Sequence, residues 1–339
     1  MKFAISSLLL VASTLGMCGS AFAETTLRMA HLWPAGSVVN KKIFQDWAKQ
    51  VEEDSNGQLN VEIYPSQTLS QAGKTYEAAA NGIADIAVTL QGYTAGRFPL
   101  TEIVQLPGVV SSASQGSCIL QTLYDERDIA EEYSDTRVLF LFTTGPAYLH
   151  SQDAEIQKPG DLEGLRIRRP SSVAGEMLSS MGAQPLGMPA PDIYTALQRG
   201  VMDGLSFPWE AMTVFRINEL VNYHLELPYY AGAIVATMSQ SSYDDLSSDM
   251  QNVIDKNSGM KWSRVAGRVF DELDRKGREE AVAQGDTIHV VEDPLSDPDW
   301  AAPLKQGSRN YLQSLEERGL DDAGDVYEKA LTLGERCQA

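Results

Sequence analysis

Residues 158–170 read Lys158-Pro159-Gly160-Asp161-Leu162-Glu163-Gly164-Leu165-Arg166-Ile167-Arg168-Arg169-Pro170. The first half combines proline with two glycines and is typical of a turn, because neither residue type continues a helix. The second half alternates basic and apolar side chains, which favours a strand in which Arg166 and Arg168 share one face and Ile167 takes the other. We therefore predict a turn followed by a strand with two arginines on one side.

A basic strand is unexpected in this protein, because its 339 residues have a formal net charge of −19. Burying an unpaired guanidinium group is costly, so an arginine between packed elements must meet an acid. That acid is either a carboxylate of the protein or a carboxylate of a bound ligand, since the planar guanidinium fits both through two hydrogen bonds. The spacing of the arginines does not separate these alternatives.

The residues before this stretch alternate between strand and helix patterns. Asn40 is the predicted N-cap of the first helix, and Gly145-Pro146 is predicted to end this half of the chain. The predicted strands are residues 25–31, 59–64, 83–90 and 137–143, and the later helices are residues 77–81 and 119–133. Strands and helices that alternate with short turns predict an α/β fold with mostly parallel strands.

The C-terminal half continues the alternation and ends in a long helical pattern. Helices are predicted at residues 173–181 and 191–199, and strands at residues 202–206 and 231–238. Residues 248–283 have apolar side chains at three- and four-residue steps, which predicts one helix on the order of 50 Å long. Its glycines, Gly259, Gly267 and Gly277, could instead break or bend it. The chain is long enough for two lobes with separate cores.

Several motifs resemble those of the substrate-binding proteins of tripartite ATP-independent periplasmic (TRAP) transporters, the DctP-like family. Besides residues 164–170, the motifs are Gly57-Gln58-Leu59-Asn60-Val61-Glu62-Ile63-Tyr64-Pro65, Glu77-Ala78-Ala79-Ala80-Asn81-Gly82-Ile83-Ala84-Asp85 and Asp192-Ile193-Tyr194-Thr195-Ala196-Leu197-Gln198-Arg199-Gly200-Val201-Met202-Asp203-Gly204. They occur in the family's order along essentially the whole chain after residue 23. The resemblance implies a two-lobed periplasmic binding protein fold with a long interlobe helix. It also implies that a captured solute is delivered to a membrane permease.

The domain organisation expected from these observations begins with a signal peptide at residues 1–23, because Lys2 and an apolar segment precede an Ala-x-Ala cleavage site. Lobe I is expected to comprise residues 24–146 plus about 232–272, and lobe II residues 147–231 plus about 273–339. The exported chain has a net charge of about −20, which disfavours nucleic acid as a partner. We expect a monomeric periplasmic protein in which Cys118 and Cys337 either form one disulfide or remain isolated thiols.

Three loops with aromatic side chains follow predicted strands, and ligands of open α/β sheets bind beyond the carboxyl ends of parallel strands. The candidate site residues are His31, Trp33, Gln91, Tyr93, Phe207, Trp209 and Glu210, joined by Tyr148 from the crossing between the lobes. Each aromatic ring could instead fill the core. By the resemblance, Arg168 takes the position of the arginine that clamps the substrate carboxylate, with Arg166 or Arg169 as a second charge. Phe207 stands where family members commonly have asparagine.

The sequence has no signature of an enzyme. The four histidines are not at metal-ligand spacing, and nucleophile and phosphate-binding motifs are missing, so we expect no catalytic residue, no metal site and no cofactor. Rings around one arginine fit a small organic acid, in particular a monocarboxylate with a ring or a short chain. Aromatic walls also hold cations, so an amino alcohol with Glu210 or Asp192 as counter-charge is an alternative ligand. A role as ligand sensor for a membrane receptor is an alternative function.

Overall fold

The computed structural model describes residues 24–338, so the predicted signal peptide lies outside the described part of the chain. The strands in this part are β1 (Thr25–His31), β2 (Leu59–Tyr64), β3 (Ile86–Leu90), β4 (Thr136–Ser151), β5 (Arg166–Arg169), β6 (Gln184–Gly187), β7 (Gly204–Phe207), β8 (Tyr223–Ser239) and β9 (Thr287–Val290). The predicted strands are all present, and β1 and β2 have the predicted bounds. The short basic strand is β5.

The helices pack on both faces of the strands. They are α1 (Asp46–Asp54), α2 (Thr75–Ala80), α3 (Ala113–Asp125), α4 (Ser172–Ser180), α5 (Ala190–Gln198), α6 (Trp209–Val214), α7 (Gln240–Asp244), α8 (Ser248–Lys256), α9 (Met260–Gln284), α10 (Ala301–Glu316) and α11 (Ala323–Arg336). A π-helical segment, Asn40–Gln45, leads directly into α1. None of the helices between residues 24 and 338 is both long and apolar enough to cross a membrane.

The strands form one mixed sheet in the order β2-β1-β3-β8-β4-β7-β5-β6, and β9 pairs with β8 outside this path. The two longest strands, β4 and β8, are antiparallel and form the centre of the sheet. Parallel strands flank them on both sides, β1 to β3 on one side and β5 to β7 on the other. The expectation of a mixed, largely parallel α/β architecture with two lobes is confirmed. β4 continues through Gly145-Pro146, where its register shifts but the strand does not end.

The pairing registers place the carboxyl ends of the parallel strands on either side, β3 and β7, beside the middle of β4 and β8. Leu90, the last residue of β3, pairs with Ile234, and Phe207, the last residue of β7, pairs with Tyr148. Pro146 and Ala231 face each other between these two points. The loops after β3 and β7 therefore approach each other from opposite directions over the centre of the sheet.

The hydrophobic core is divided by the faces of the sheet. Phe140 and Phe142 of β4 belong to one cluster of buried side chains, whereas Leu141 between them belongs to the other. Ile234 and Val235 of β8 are separated in the same way. Because neighbouring side chains of a strand point to opposite faces, the two large clusters lie on the two sides of one sheet. Each cluster takes side chains from both ends of the sheet, which β4 and β8 connect.

The long helical pattern at residues 248–283 is interrupted once. Gly259 has a φ of +70°, a left-handed conformation that separates α8 from α9. The other two glycines lie inside α9 and allow close packing. A Cβ atom on Gly267 would lie 2.7 Å from the Cα atom of Ser114 in α3, and one on Gly277 would collide with the carbonyl oxygen of Trp209 in α6. With 25 residues, or about 37 Å, α9 packs along α3, α6 and the central strand β4.

A disulfide joins Cys118 in α3 to Cys337, the residue after α11. The two Cα atoms are 5.7 Å apart, and 219 positions separate the cysteines in the sequence. Of the two alternatives for these cysteines, the disulfide is confirmed. It fastens the C-terminal helix to the face of the sheet that α3 covers.

Candidate functional site

A cavity lies where the loops after β1, β3 and β7 meet the centre of β4 and β8, and it encloses about 380 Å³ of empty space. Five of the predicted site residues line it: Trp33, Tyr93, Arg168, Phe207 and Glu210. The other lining residues are Leu32, Leu90, Thr144, Pro170, Ala190, Pro208, Ala211, Phe215, Tyr230 and Gly232. The lining is mainly apolar with a few polar groups, as is usual for small-molecule sites.

Arg168 is the only basic side chain of this lining, and 1% of its surface is exposed. Its position on β5 points the guanidinium group toward the end of β7. Nε donates to the carbonyl oxygen of Met188 at 2.8 Å, and Nη1 donates to the carbonyl oxygen of Ser206 at 3.1 Å. Nη2 donates to the hydroxyl of Tyr93 at 3.1 Å. These neutral acceptors fix the plane of the guanidinium group.

Arg168 has no carboxylate partner within residues 24–338. A guanidinium group has five N–H donors, and the three bonds to Met188, Ser206 and Tyr93 leave one N–H free on each terminal nitrogen. Arg166, two residues earlier, pairs instead with Asp203 through Nε at 2.9 Å and Nη2 at 2.6 Å. The interpretation as an arginine paired within the protein therefore applies to Arg166. Arg168 retains a buried positive charge and two donors suited to a bidentate acceptor.

Arg169, the other candidate for a second charge, lies outside the cavity lining. Its Nη1 donates to the carbonyl oxygen of Ser171 at 3.0 Å, and its side chain covers Gly175 of α4. The cavity thus has one cationic group rather than two. A ligand with a single carboxylate matches this charge.

Tyr93 connects the loop after β3 to the opposite side of the cavity. Its hydroxyl oxygen accepts from Arg168 Nη2 and from the backbone N–H of Ala190 at 2.9 Å. Both of these bonds use the oxygen as acceptor, so the O–H of Tyr93 remains available as a donor. Gly92 permits this approach, because a Cβ atom there would lie 2.5 Å from the Cβ atom of Ser171.

Aromatic rings form the walls of the cavity. Trp33 and Phe207 are buried, and the ring of Phe207 lies 5.1 Å from Cζ of Arg168, within the range of a cation–π contact. Phe215 packs beside Phe207 with the ring centroids 5.9 Å apart. Tyr230 donates its hydroxyl proton to the carbonyl oxygen of Ser206 at 3.2 Å, and burial raises its pKa to about 12, so the group stays protonated. The walls offer ring faces and few polar atoms.

Glu210 is the acidic residue of the lining. Burial raises the pKa of its carboxyl group well above the usual value, and the nearby charge of Asp274 adds to the effect. Asp274 accepts from the backbone N–H of Glu210 at 2.9 Å. Its own pKa is raised to about 7, mainly by burial and against the influence of that N–H group. Burial and the neighbouring Asp274 thus both favour the protonated, uncharged form of Glu210.

Four predicted site residues lie outside the cavity lining and have other contacts. His31 shares a hydrogen bond of 2.9 Å with Asn40, and burial lowers its pKa to about 4, so it is neutral and packs on Phe44. The N-cap of this helical segment is Val39, so the prediction of Asn40 as the N-cap is wrong. Gln91 donates to the hydroxyl of Tyr133 at 3.0 Å, in the core. His31 is the last residue of β1 and Gln91 follows β3, but neither side chain lines the cavity.

Tyr148 and Trp209 lie on the far side of the end of β7 and pack against each other with ring centroids 6.2 Å apart. The indole N–H of Trp209 donates to Glu226 at 2.8 Å. The rings of His224 and His150 lie closer to Trp209, with centroids 4.8 and 5.0 Å away. These side chains belong to a buried polar cluster rather than to the cavity.

Sequence reasoning missed the lining residues from the middle of the long strands, Thr144, Tyr230 and Gly232. They lie inside β4 and β8, and no turn or loop pattern in the sequence marks a residue in the middle of a strand as a ligand contact. Leu32, Pro170, Pro208 and Ala211, by contrast, are sequence neighbours of predicted residues. Within residues 24–338, no group of three or more histidine, cysteine or acidic side chains is arranged to hold a metal ion.

Comparison with known proteins places this geometry in a family. Residues 29–310 match the DctP model, described as bacterial extracellular solute-binding protein, family 7. A marine metagenome TRAP solute binding protein specific for aromatic acid ligands, in complex with 3-hydroxybenzoate, is 31% identical with a TM-score of 0.86, over 94% of this chain and 100% of that one. A TRAP solute binding protein from Rhodoferax ferrireducens T118, in complex with copurified benzoate, is also 31% identical, with a TM-score of 0.84 over 92% of this chain and 98% of that one.

A curated solute-binding protein of Albidiferax ferrireducens is 27% identical over 207 residues, which are 59% of this chain. The match spans 61% of the length of that relative. The family model covers most of the chain, and the two similar structures share its fold almost throughout. The chain therefore belongs to the bacterial extracellular solute-binding proteins of family 7, the DctP family, and is a TRAP periplasmic solute-binding protein.

Proposed function

We propose that this protein captures an aromatic monocarboxylate in the periplasm and delivers it to a TRAP permease. The observation that supports this most directly is Arg168, a buried cation with two free donors and no acidic partner among the described residues. A charge buried in this way costs free energy unless an anion completes the site. A ligand carboxylate supplies that anion.

The charge of the site favours an acid over an amine. An ammonium group near Arg168 would need an acid between the two cations, and no protein carboxylate pairs with Arg168 in the part of the chain described. Glu210 is poorly suited to this role, because burial raises the pKa of its carboxyl group and favours the uncharged form. An amino alcohol therefore lacks a counter-charge in this cavity.

The apolar lining favours a ring as the rest of the ligand. Trp33, Phe207 and Phe215 present flat faces, and burying apolar surface stabilises a complex by about 25 cal/mol per Å². The two 31% identical relatives were crystallised with 3-hydroxybenzoate and benzoate. Both ligands combine one carboxylate with one ring, the combination that this cavity suits.

The capture step uses both proposed lobes. Trp33 and Tyr93 come from lobe I, with the boundaries given above, whereas Arg168 and Phe207 come from lobe II. A ligand that contacts all four favours the arrangement in which the lobes are together. Delivery to a permease follows from family membership, and a receptor in place of the permease would use the same binding step.

The proposal is tested by isothermal titration calorimetry with benzoate, cyclohexanecarboxylate and an amino alcohol of similar size. We expect benzoate to bind most tightly and the amino alcohol not to bind. Arg168→Lys should weaken benzoate binding by about 10- to 100-fold, because an ammonium group cannot reproduce a bidentate contact and each charge-assisted bond contributes roughly 1.5–3 kcal/mol.

Arg166→Lys is the matched control, because Arg166 is paired with Asp203 and lies outside the cavity lining. It should leave the affinity for benzoate unchanged. Binding of the amino alcohol alone, or equal benzoate affinity in the Arg168→Lys variant and the parent protein, would contradict the proposal.

A further inference from the structure

The carboxyl group of Glu210 is buried in the cavity wall without a hydrogen-bond partner. Only 3% of the residue is exposed, and Oε2 is fully buried with no donor or acceptor near it among residues 24–338. The backbone N–H of Glu210 is satisfied by Asp274, so the unpartnered group is the side chain alone. Buried polar groups are nearly always hydrogen-bonded, and because Glu210 lines the binding cavity, a ligand can supply the missing contact.

No cation of the protein accounts for this carboxyl group. Glu210 also borders an outer groove that contains Lys276, but Lys276 pairs with Glu272 on the exposed face of α9. Arg168, in the same cavity, makes no ion pair with Glu210. Burial and the charge of Asp274 both favour the protonated form. In that form the carboxyl group has one O–H donor and one carbonyl acceptor.

We infer that Glu210 recognises a hydroxyl substituent on the ring of the ligand, so that the site selects hydroxylated aromatic monocarboxylates over unsubstituted ones. This inference rests on the proposed function, since it assumes that Arg168 holds the carboxylate. A phenolic hydroxyl is both donor and acceptor and matches the two oxygens of a neutral carboxyl group. Benzoate would leave Oε2 without a partner, and an unsatisfied buried polar group lowers affinity.

Polar recognition of this kind discriminates more strongly than an apolar contact. A pocket built to hydrogen-bond a hydroxyl group rejects the analogue that lacks it, because its own polar atoms are then left unpaired. An apolar residue at position 210 would instead accept the unsubstituted ring. Glu210 is thus a specificity-determining residue, distinct in its effect from Arg168, which contributes to the binding of every carboxylate.

The test is calorimetric titration of the parent protein with benzoate, the three monohydroxybenzoates and 3-fluorobenzoate. We expect one hydroxybenzoate isomer to bind at least about tenfold more tightly than benzoate, and the fluoro analogue, which has no hydrogen-bond donor, to resemble benzoate. Glu210→Leu should reduce this preference to within about threefold, whereas Glu210→Gln, which keeps a donor and an acceptor, should retain most of it.

Glu280→Leu is the matched control, because Glu280 lines the outer groove and not the cavity. Its carboxylate accepts a hydrogen bond from the hydroxyl of Thr213. This variant should leave the preference intact. A parent protein that binds benzoate and every hydroxybenzoate equally would overturn the inference while the proposed function stands, as would a preference that survives in Glu210→Leu. If no aromatic acid binds, the proposed function itself fails.

Discussion

Two buried polar regions meet at the end of β7 and differ in how their charges are satisfied. In the cavity, the carbonyl oxygen of Ser206 accepts from Arg168, which keeps two N–H donors without a partner among residues 24–338. On the other side, the carbonyl oxygen of Phe207 is 2.9 Å from Nε2 of His150. His150 belongs to the histidine cluster, which we define as His150, Trp209, His224, Glu226, Arg278 and Asp286.

In the histidine cluster the polar side chains satisfy one another. His150 and His224 are 2.7 Å apart through their Nδ1 atoms, and His224 lies 3.1 Å from Asp286. Glu226 accepts from Trp209 at 2.8 Å and from Arg278 at 2.7 Å. The cluster thus resembles an active site in composition but has no unpartnered group. A buried charge such as that of Arg168, which lacks an acidic partner among the described residues, therefore indicates a ligand site, whereas buried charges that pair with one another indicate a structural role.

The largest expected effect comes from replacing the arginine of each region by methionine. Arg168→Met should lower ligand affinity by about 3–6 kcal/mol, the contribution of two charge-assisted bonds. In the absence of ligand, its free energy of unfolding should stay within about 1 kcal/mol of the parent value, because a buried unpaired charge is exchanged for an apolar group. Calorimetry gives the affinity, and urea denaturation gives the stability.

Arg278→Met should lower the stability of the fold rather than the ligand affinity. It removes one of the partners of the buried Glu226, so we expect a loss of about 1–2 kcal/mol in the free energy of unfolding, with ligand affinity unchanged. The loss is modest because Arg278 is partly exposed and Trp209 remains bonded to Glu226. Equal destabilisation by the two variants would remove the distinction between the regions.

The next effect concerns Asp274, which lies between the regions and has its pKa raised to about 7 by burial and by the charges of Asp271 and Glu226. A carboxyl group with a raised pKa binds its proton more tightly in the folded protein. Its contribution to stability is therefore present at low pH and is lost as the pH rises toward 7. Asp274→Asn should not show this loss, so its stability relative to the parent should increase between pH 4 and 7, by up to about 4 kcal/mol.

The measurement is urea denaturation of both proteins at several pH values between 4 and 8. His31 has the opposite influence in the same range, because its pKa is lowered to about 4 and the unfolded chain takes up the proton first. The difference between variant and parent cancels this contribution, since His31 is present in both. Parallel stability profiles would show that Asp274 is ionised in the folded protein throughout this range.

Much of the fold could be predicted from local patterns. The alternation of residues 25–31 and 59–64 gave strands with the observed bounds, because side chains on a half-buried strand repeat every two residues. The order of the strands could not be predicted in this way. β3 pairs with β8, about 150 residues later in the chain, and nothing in either segment specifies the other. The division of the core by sheet face depends on the same long-range pairing.

The site could also be predicted only in part, because local patterns mark strands and loops whereas tertiary contacts decide the partners of each side chain. The position of Arg168 on a strand was evident, but its lack of a protein acid depends on Asp203 lying against Arg166 instead. The loops after strands pointed to Trp33, Tyr93 and Phe207, whereas the direction of each side chain depends on tertiary contacts. Asn40 holds His31 toward the core, and Glu226 holds Trp209 in the histidine cluster.

The smallest effect is expected from the tyrosines beside each region. Tyr93→Phe removes the acceptor that links Arg168 to the loop after β3 and leaves the N–H of Ala190 without its partner. One neutral hydrogen bond contributes about 1 kcal/mol, so ligand affinity should fall by about five- to tenfold while the fold is retained. Tyr148→Phe is the matched control, because the hydroxyl of Tyr148 makes no hydrogen bond with any described residue and the ring lies outside the cavity lining. The ligand affinity of the Tyr148→Phe variant should equal that of the parent protein. If calorimetry finds the same loss in both variants, the hydroxyl of Tyr93 does not position Arg168, and the free donors of the guanidinium group are set by the carbonyl oxygens of Met188 and Ser206 alone.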